Sequence, residues 1–312
     1  MKTICVYGSI NADMILTMDE LPLIGNNVVG NEYYMTAGGK GANQAAAAAK
    51  LGANVSLISM VGYDQLGRWL VERMRRLGVG VKFVGKNTMK TGINFIVKDS
   101  KNNKSMMFFT ESNSLLDEKY LQQCGDLIDN SQMLMLQLSV PISGIELAAK
   151  KMKQNNGIVI LDPSPAKKLK ADFLKNVDYI TPNDEELMYL SGIDDISKIE
   201  SRYEAGKTLL AKGVGCVINK AGKDGAYIIT KENIIQMPAF DIEVKDNVGV
   251  GSAFNGALAV SIALDKSIED AVEFANAASA IMLLRGGTQD SMANYEECSE
   301  MIKGNFSLGN IE

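Results

Sequence analysis

The chain has 312 residues, of which 46% are hydrophobic and 22% charged, a composition typical of a soluble globular enzyme with a sizeable core. Its net charge of −5 argues against nucleic acid or a membrane as a partner, and no apolar run approaches the ~18 residues that span a bilayer, so we expect a cytoplasmic protein. Histidine is absent, which excludes Ser-His-Asp and Cys-His catalysis, and the four cysteines form no Cys-x-x-Cys pair.

The N-terminal part of the chain predicts a strand, a β-rich insertion and a helix of small residues. Residues 3–7 form an apolar strand, after which Asn11 and Asp13 are by default turn residues. Residues 14–37 lack a helical period and suit a few short strands that stand off the main body. The alanine-rich segment 38–51 predicts a helix that packs closely on a sheet.

Two further β-like segments follow a predicted strand at 55–61 and a helix that ends at Arg76. They are 91–98 and 106–110, and the charged segment 99–104 is the predicted hairpin turn between them. Together with residues 14–37 they predict a small sheet that is discontinuous in sequence.

From Gln132 onward, predicted strands and helices alternate. The strands are 133–138, 157–161 and 178–181, and the helices are 142–154, 184–191 and 201–212. This alternation predicts an α/β fold with a doubly wound, mostly parallel sheet and helices on both faces. Ligands bind such sheets at the carboxyl ends of the strands. Several polar or glycine positions follow predicted strands, namely Asn11, Ser139, Asn183, Gly222 and Gly249.

The glycine-rich stretch 245–256 is predicted to follow a strand at 242–244 and to lead into a buried helix at 257–264. Gly249 and Gly251 allow consecutive backbone N–H groups to point at one place, and the helix N-terminus adds partial positive charge. The stretch therefore suits an anion such as phosphate. The alternative is a tight strand-to-helix turn, with Ser252 as a helix N-cap.

This stretch resembles the Asp-Thr-x-Gly-Ala-Gly-Asp signature of the ribokinase or phosphofructokinase-B family of carbohydrate kinases. In that family the glycine amides, at Gly249, Val250 and Gly251 here, form an anion hole, and the last Asp is the catalytic base. Here Ser252 stands at the position of that Asp, and Asn247 at that of the Thr. Segments 11–13 and 38–43 also resemble the family's sugar-binding Asn-x-Asp and Gly-Gly-Lys-Gly-Ala-Asn.

The resemblance implies a role for each matching position. The sugar-binding positions are Asn11, Asp13, Gly39, Lys40, Asn43 and Ser139, the last where ribokinases commonly carry Glu. The nucleotide-binding positions are Asn183, Lys220, Gly222, Gly225 and Asn276. Glu186 would hold Mg²⁺ through water, and the loop of Asp246, Arg285, Gly287 and Ser291 would hold a monovalent cation. ATP and Mg²⁺ are the implied cofactors, with K⁺ as a candidate third. An N-cap with acidic first-turn residues is the alternative for Asn183 and Glu186.

The implied protein is a single kinase-type domain over 1–312, with a lid from about 12–37 and 90–112 that covers the sugar and is a candidate homodimer contact. Its implied function is transfer of the ATP γ-phosphate to a hydroxyl of a sugar or nucleoside-like molecule. That transfer is impaired at Ser252, unless Asp13 or Asp246 serves as the base. The alternative is a non-catalytic protein that binds nucleotide or sugar. Ser139 predicts poor or altered use of ribose.

Overall fold

The structure is a computed structural model that describes residues 2–101 and 103–307. Met1, Asn102 and residues 308–312 lie outside this description, and with them the ends of the predicted domain and one residue of the predicted hairpin turn. Thirteen strands lie in the described residues: β1 (Ile4–Tyr7), β2 (Asn11–Met18), β3 (Gly30–Gly38), β4 (Val55–Gly62), β5 (Val84–Asn87), β6 (Ile93–Asp99), β7 (Lys104–Phe109), β8 (Met133–Gln137), β9 (Ile158–Asp162), β10 (Tyr179–Ile180), β11 (Cys216–Lys220), β12 (Ala226–Ile229) and β13 (Ile234–Met237).

Nine of these strands form the main sheet, in the order β13-β12-β11-β10-β9-β8-β1-β4-β5. The sheet is parallel from β11 to β5, and β12 and β13 extend it as an antiparallel hairpin. In its centre Ile4 of β1 lies between Met133 of β8 and Val55 of β4. Such strands are apolar throughout because helices cover both faces of the sheet.

The described residues contain eleven α-helices: α1 (Lys40–Lys50), α2 (Gln65–Arg76), α3 (Glu118–Gln123), α4 (Gly125–Asp129), α5 (Ile142–Gln154), α6 (Ala171–Leu174), α7 (Asp184–Ser191), α8 (Ile199–Ala211), α9 (Val250–Ala263), α10 (Ile268–Arg285) and α11 (Tyr295–Ile302). One hydrophobic cluster joins the sheet to α1, α2, α9, α10 and α11, and the other joins its opposite face to α3–α8. The predicted doubly wound α/β fold is confirmed.

Helices α1 and α9 approach each other closely because small residues lie between them. A Cβ on Gly256 would be only 2.5 Å from the Cβ of Ala47 and 3.0 Å from the main-chain nitrogen of Ala48. These helices carry the two glycine-rich segments that the sequence singled out, so their packing brings the two segments together. In the described part of the chain, no helix combines the length and the apolar character that a membrane crossing needs.

The remaining four strands form the predicted small sheet, in the order β3-β2-β6-β7. Strands β2 and β6 are parallel, with Ala12 beside Ile93, and the outer pairs are antiparallel. Several large apolar side chains of this sheet are exposed: Tyr33, Tyr34, Met35, Met106, Met107, Phe108 and Phe109.

The structure corrects three predictions around the glycine-rich stretch. The strand predicted at 242–244 is wrong: the segment lies outside the sheet, and the N–H of Lys245 donates instead to the carbonyl of Leu283 in α10. Helix α9 begins at Val250, not at 257, and Gly249 with φ of 77° is its N-cap. Ser252 is therefore the third helical residue and not the N-cap. The prediction placed the start too late because Gly251 and Asn255 interrupt the apolar run, whereas tertiary packing overrides their weak helix propensity.

Candidate functional site

Two cavities meet at the N-terminus of α9. The first cavity, of about 460 Å³, lies between the small sheet and the strand ends of the main sheet. The second cavity, of about 480 Å³, lies along β11, α9 and α10. Residues that line both cavities are Lys40, Ser164, Gly249 and Ser252. A group bound in one cavity is therefore next to a group bound in the other.

All the residues predicted to bind sugar line the first cavity: Asn11, Asp13, Gly39, Lys40, Asn43 and Ser139. The side chains of Asn11 and Asn43 are held by buried amides that the sequence did not single out. Asn113 donates to Oδ1 of Asn11 at 2.7 Å, and Gln289 donates to Oδ1 of Asn43 at 2.9 Å. The cavity thus presents oriented polar groups, as a polyol site requires.

Ser139 forms a hydroxyl pair with Ser9, whose Oγ lies 2.9 Å from the Oγ of Ser139. Both residues line the first cavity, beside Lys167. A pair of short neutral hydroxyls leaves more space than a carboxylate side chain and adds no negative charge.

Asp13 is the buried carboxyl group of the first cavity, with 6% of its surface exposed. Burial raises its pKa to about 6, although a 2.7 Å hydrogen bond from Asn94 and the charge of Lys40 favour the ionised form. The folded protein therefore binds this proton more tightly than the unfolded chain, and the pKa shift from 3.8 corresponds to roughly 3 kcal/mol. Ionised Asp13 costs stability at neutral pH.

We expect Asp13→Asn to raise the free energy of unfolding at neutral pH by about 1–3 kcal/mol while weakening sugar binding. Since the native state binds more protons between the two pKa values, wild-type stability contains a component that is present at low pH and lost as pH rises from 3.8 to about 6. Denaturant unfolding across this range measures it. Asp241→Asn, at an exposed position, is the control. If the free energy of unfolding varied with pH in the same way for wild type and Asp13→Asn, the interpretation would be contradicted.

The second cavity is lined by the residues predicted to bind nucleotide and metal, namely Asn183, Glu186, Lys220, Gly222, Gly225, Asn276, Gly249, Val250 and Gly251. Asn183 and Glu186 form a complete capping box at the start of α7, and Glu186 lines the cavity at the same time, so the N-cap does not exclude a metal role. The amide of Asn276 donates to the carbonyls of Met237 and Pro238, at 3.2 and 3.1 Å, and so shapes the cavity wall.

The first turn of α9 faces this second cavity. The N–H groups of Ser252 and Ala253 donate to the carbonyl of Gly249, at 2.9 and 3.1 Å, so the N–H groups of Val250 and Gly251 lie ahead of the helical hydrogen bonds. Such N–H groups and the helix dipole attract anions. A Cβ on Gly251 would be 3.5 Å from Nζ of Lys220, which places a cation beside the same turn.

A chain of buried hydrogen bonds holds Lys220 in place, and the sequence analysis missed it. Nε2 of Gln137 donates to Gln44 at 2.7 Å, Nε2 of Gln44 donates to Asp162 at 2.9 Å, and Nζ of Lys220 lies 3.1 Å from Oδ1 of Asp162. Asp162 is 3% exposed and is the last residue of β9. Its position at the carboxyl end of a parallel strand is a sequence signal that could have identified it as a site residue.

The residues predicted to hold a monovalent cation lie in two adjoining loops. Gly286 is so near Asp246 that a Cβ on it would be 3.5 Å from the Cβ of Asp246. The guanidinium of Arg285, however, pairs with Glu297 at 2.5 Å, away from Asp246. Asp246 itself pairs with Lys98 and Lys104 of the small sheet, a contact that no sequence pattern predicted.

A divalent cation fits the second cavity only together with a ligand. No cluster of three or more His, Cys, Asp or Glu side chains occurs in the described residues. The cavity does contain the carboxylates of Glu186 and Asp162, and Mg²⁺ is commonly held by one or two carboxylates plus substrate phosphates and water. The donor set therefore fits Mg²⁺ that arrives with a nucleotide.

Comparison with known proteins agrees with this geometry. The model of the pfkB family of carbohydrate kinases matches residues 1–294. Ribokinase from Haemophilus influenzae is 33% identical over 97% of this chain and 99% of its own. The structure of Thermotoga maritima ribokinase has a TM-score of 0.89 at 32% identity, covering 97% of this chain and all of the other. Arabidopsis thaliana ribokinase, solved with ribose and ATP, has a TM-score of 0.91 at 27% identity over 98% and 99% of the two chains.

The fold is thus that of the ribokinases. The chain belongs to the pfkB family of carbohydrate kinases, and its relatives indicate an ATP-dependent sugar kinase.

Proposed function

We propose that this protein transfers the γ-phosphate of ATP to a hydroxyl of a sugar or nucleoside-like molecule, at a rate limited by Ser252. The observation that carries the proposal is that the two cavities meet at Gly249 and Ser252. A terminal phosphate against the first turn of α9 then lies beside a hydroxyl in the first cavity. Juxtaposing the two reactants in this way is a large part of catalysis. The ribokinase solved with ribose and ATP supports the same pairing of ligands.

On the nucleotide side, the charges that build up on the transferred phosphoryl group are met by fixed positive groups. These are the N–H groups of Val250 and Gly251 and the ammonium groups of Lys220 and Lys40. Phosphoryl transfer depends mainly on such electrostatic stabilisation. Mg²⁺ bound with ATP would neutralise phosphate charge there, and Glu186 would hold its coordinated water.

On the acceptor side, Asn11, Asp13 and Asn43 orient the hydroxyl groups of the substrate. The Ser9–Ser139 hydroxyl pair replaces a charged side chain, and we therefore propose poor or altered use of ribose. The acceptor would be a polyol or nucleoside that is bulkier than ribose or differently charged.

The step that this site performs least well is removal of the proton from the acceptor hydroxyl. Ser252, one of the four residues that line both cavities, is 7% exposed and neutral. A serine hydroxyl is a poor base near neutral pH, and the chain has no histidine to activate it. Ser252 is also the observation that favours the second candidate function, a non-catalytic protein that binds nucleotide and sugar.

Calorimetric titration with Mg-ATP tests both candidates, and we expect binding with a dissociation constant below the millimolar range. A parallel measurement of ADP release over a panel of sugars and nucleosides separates a slow kinase from a pure binder. Absence of Mg-ATP binding at millimolar ligand would contradict both functions. Turnover of a sugar at about 1–100 s⁻¹, as ordinary kinases show, would contradict the proposed impairment.

We also propose a homodimer through the small sheet. Its exposed aromatic and methionine side chains include Tyr33, Met107 and Phe109, at 75%, 48% and 47% exposure. Apolar patches of this kind mark contact surfaces. Sedimentation as a species of 33.7 kDa at micromolar concentration would contradict the dimer.

A further inference from the structure

Two lysines of the small sheet, Lys98 in β6 and Lys104 in β7, converge on the carboxylate of Asp246. Nζ of Lys98 lies 2.9 Å from Oδ2, and Nζ of Lys104 lies 3.3 Å from Oδ1. The side chains of Lys98, Lys104 and Asp246 are 16%, 25% and 21% exposed, so salt and water screen these ion pairs less than surface pairs. Lys104 also donates to the side-chain oxygen of Asn247. We call Lys98 and Lys104 the lysine pair.

The carboxylate that the lysine pair holds shapes the approach to α9. Oδ1 of Asp246 accepts hydrogen bonds from the N–H groups of Asn247 and Val248, at 2.8 and 3.3 Å. The next residue, Gly249, is the N-cap of α9. The turn that precedes the anion hole is therefore built on a carboxylate that pairs with two ammonium groups.

The carboxylate oxygens of Asp246 and the carbonyl of Gly286, which could bind a monovalent cation in this place, already accept hydrogen bonds. Both oxygens of Asp246 face the lysine pair, and the hydroxyl of Ser291 donates to the carbonyl of Gly286. A further cation would share one carboxylate with two ammonium groups, and like charges about 4 Å apart repel by roughly 1–4 kcal/mol near a protein surface. The residues present do not fit K⁺.

We propose that the lysine pair takes the place of a monovalent cation at Asp246 and makes nucleotide binding independent of K⁺. The inference rests on the proposed function, since the nucleotide in question is the one expected in the second cavity. Lys98 and Lys104 act as positioning residues: they fix Asp246, and Asp246 fixes the turn that leads to Val250 and Gly251. The small sheet that covers the first cavity thereby also orders the phosphate-binding turn of the second.

The test compares Mg-ATP binding in choline chloride and in KCl at equal ionic strength. Wild type should bind equally well in both salts. Lys98→Met/Lys104→Met should bind about tenfold more weakly in choline chloride, the loss expected for an ordinary coupling between two sites, and KCl should restore most of it. Recovery by K⁺ separates a replaced cation site from a merely structural loss. Lys101→Met, in the turn between β6 and β7, is the matched control: in the described residues Lys101 forms no ion pair with Asp246, and its variant should match wild type.

Thermal unfolding without nucleotide gives a second readout, which tests the proposal even if the proposed function is wrong. K⁺ that binds the native state of the double variant at tenfold its dissociation constant should raise the unfolding midpoint by about 2 °C or more over choline. Wild type should show no such difference. A wild type that K⁺ stabilises, or whose Mg-ATP affinity rises in KCl, would overturn the proposal. So would a double variant that gains nothing from K⁺. Lys104→Met alone, which keeps one ion pair, should show the same response in smaller measure, and provides the test where the double variant does not fold.

Discussion

Replacing Ser252 with aspartate is expected to raise the rate of phosphoryl transfer by about 10²-fold or more, since general-base catalysis is typically worth 10²–10⁴ in rate, or roughly 3–5 kcal/mol of barrier. Ser252 lies where the two cavities meet, so a carboxylate there reaches the acceptor hydroxyl and the phosphate alike. The same charge repels nucleotide phosphate, and we expect slightly weaker Mg-ATP binding together with faster turnover. ADP release over a panel of sugars and nucleosides measures the rate.

Two further variants show whether another carboxylate already serves as the base. Asp13 lines the first cavity and has a raised pKa, whereas both oxygens of Asp246 are held by lysines and its pKa is lowered. Asp13 is thus the better candidate. If it acts as the base, Ser252→Asp changes little and Asp13→Asn abolishes turnover. If neither Ser252→Asp nor wild type phosphorylates any acceptor, the protein is a binder and the proposed kinase activity is wrong.

Gly39→Ala is expected to abolish sugar binding and to destabilise the protein by about 3 kcal/mol or more. Gly39 has φ of 91°, and a Cβ on it would lie 2.6 Å from Cα of Ile10, 2.7 Å from the carbonyl oxygen of Ser9 and 2.8 Å from the nitrogen of Asn11. These are main-chain atoms that no rotamer change can move. The substitution must therefore separate the start of α1 from the start of β2, and with it the polar groups of the first cavity.

Gly52→Ala is the matched control for backbone strain. Gly52 follows α1 with φ of 86°, yet a Cβ there meets no atom of the described structure within 4 Å. Its replacement should cost only the left-handed strain of about 1–2 kcal/mol and leave sugar binding intact. Denaturant unfolding and sugar titration of both variants provide the comparison. Equal losses of stability and of sugar affinity in the two variants would show that the main-chain atoms close to Gly39 have no special role.

The sequence predicted best those elements whose local pattern agrees with their tertiary surroundings. Helices 142–154 and 184–191 were predicted with the boundaries that the structure shows, and the separate β-like segments were correctly assigned to one small sheet. Prediction failed at 242–256: residues 242–244 form no strand, and the glycine-rich segment is already helical from Val250 because α1 and α10 pack on it. Hydrophobic periodicity predicts which large side chains are buried, but it carries no information where glycine and serine form a buried helical turn.

The candidate site was predicted as far as motifs placed residues at strand ends. Every predicted sugar-binding and nucleotide-binding residue lines one of the two cavities. The sequence could not reveal which side chains form hydrogen bonds and ion pairs with these residues. Lys98 and Lys104 flank a charged hairpin and look like solvated surface residues, yet they reach a carboxylate more than 140 positions away. A contact between distant segments depends on how the small sheet docks, and that is a property of the whole fold.

The close packing of α1 on α9 has a consequence for biosynthesis. Most residues that line the first cavity lie in the first half of the chain. Helix α9, which closes this cavity, emerges from the ribosome only when most of the chain has been made. Until then the alanine-rich face of α1 has no helix to cover it, and both cavities lack the residues of the first turn of α9. Non-local contacts of this kind form slowly, and uncovered apolar surface invites association with other chains. Sugar and nucleotide can therefore stabilise only the completed chain, and we expect neither ligand to protect a truncated product against unfolding.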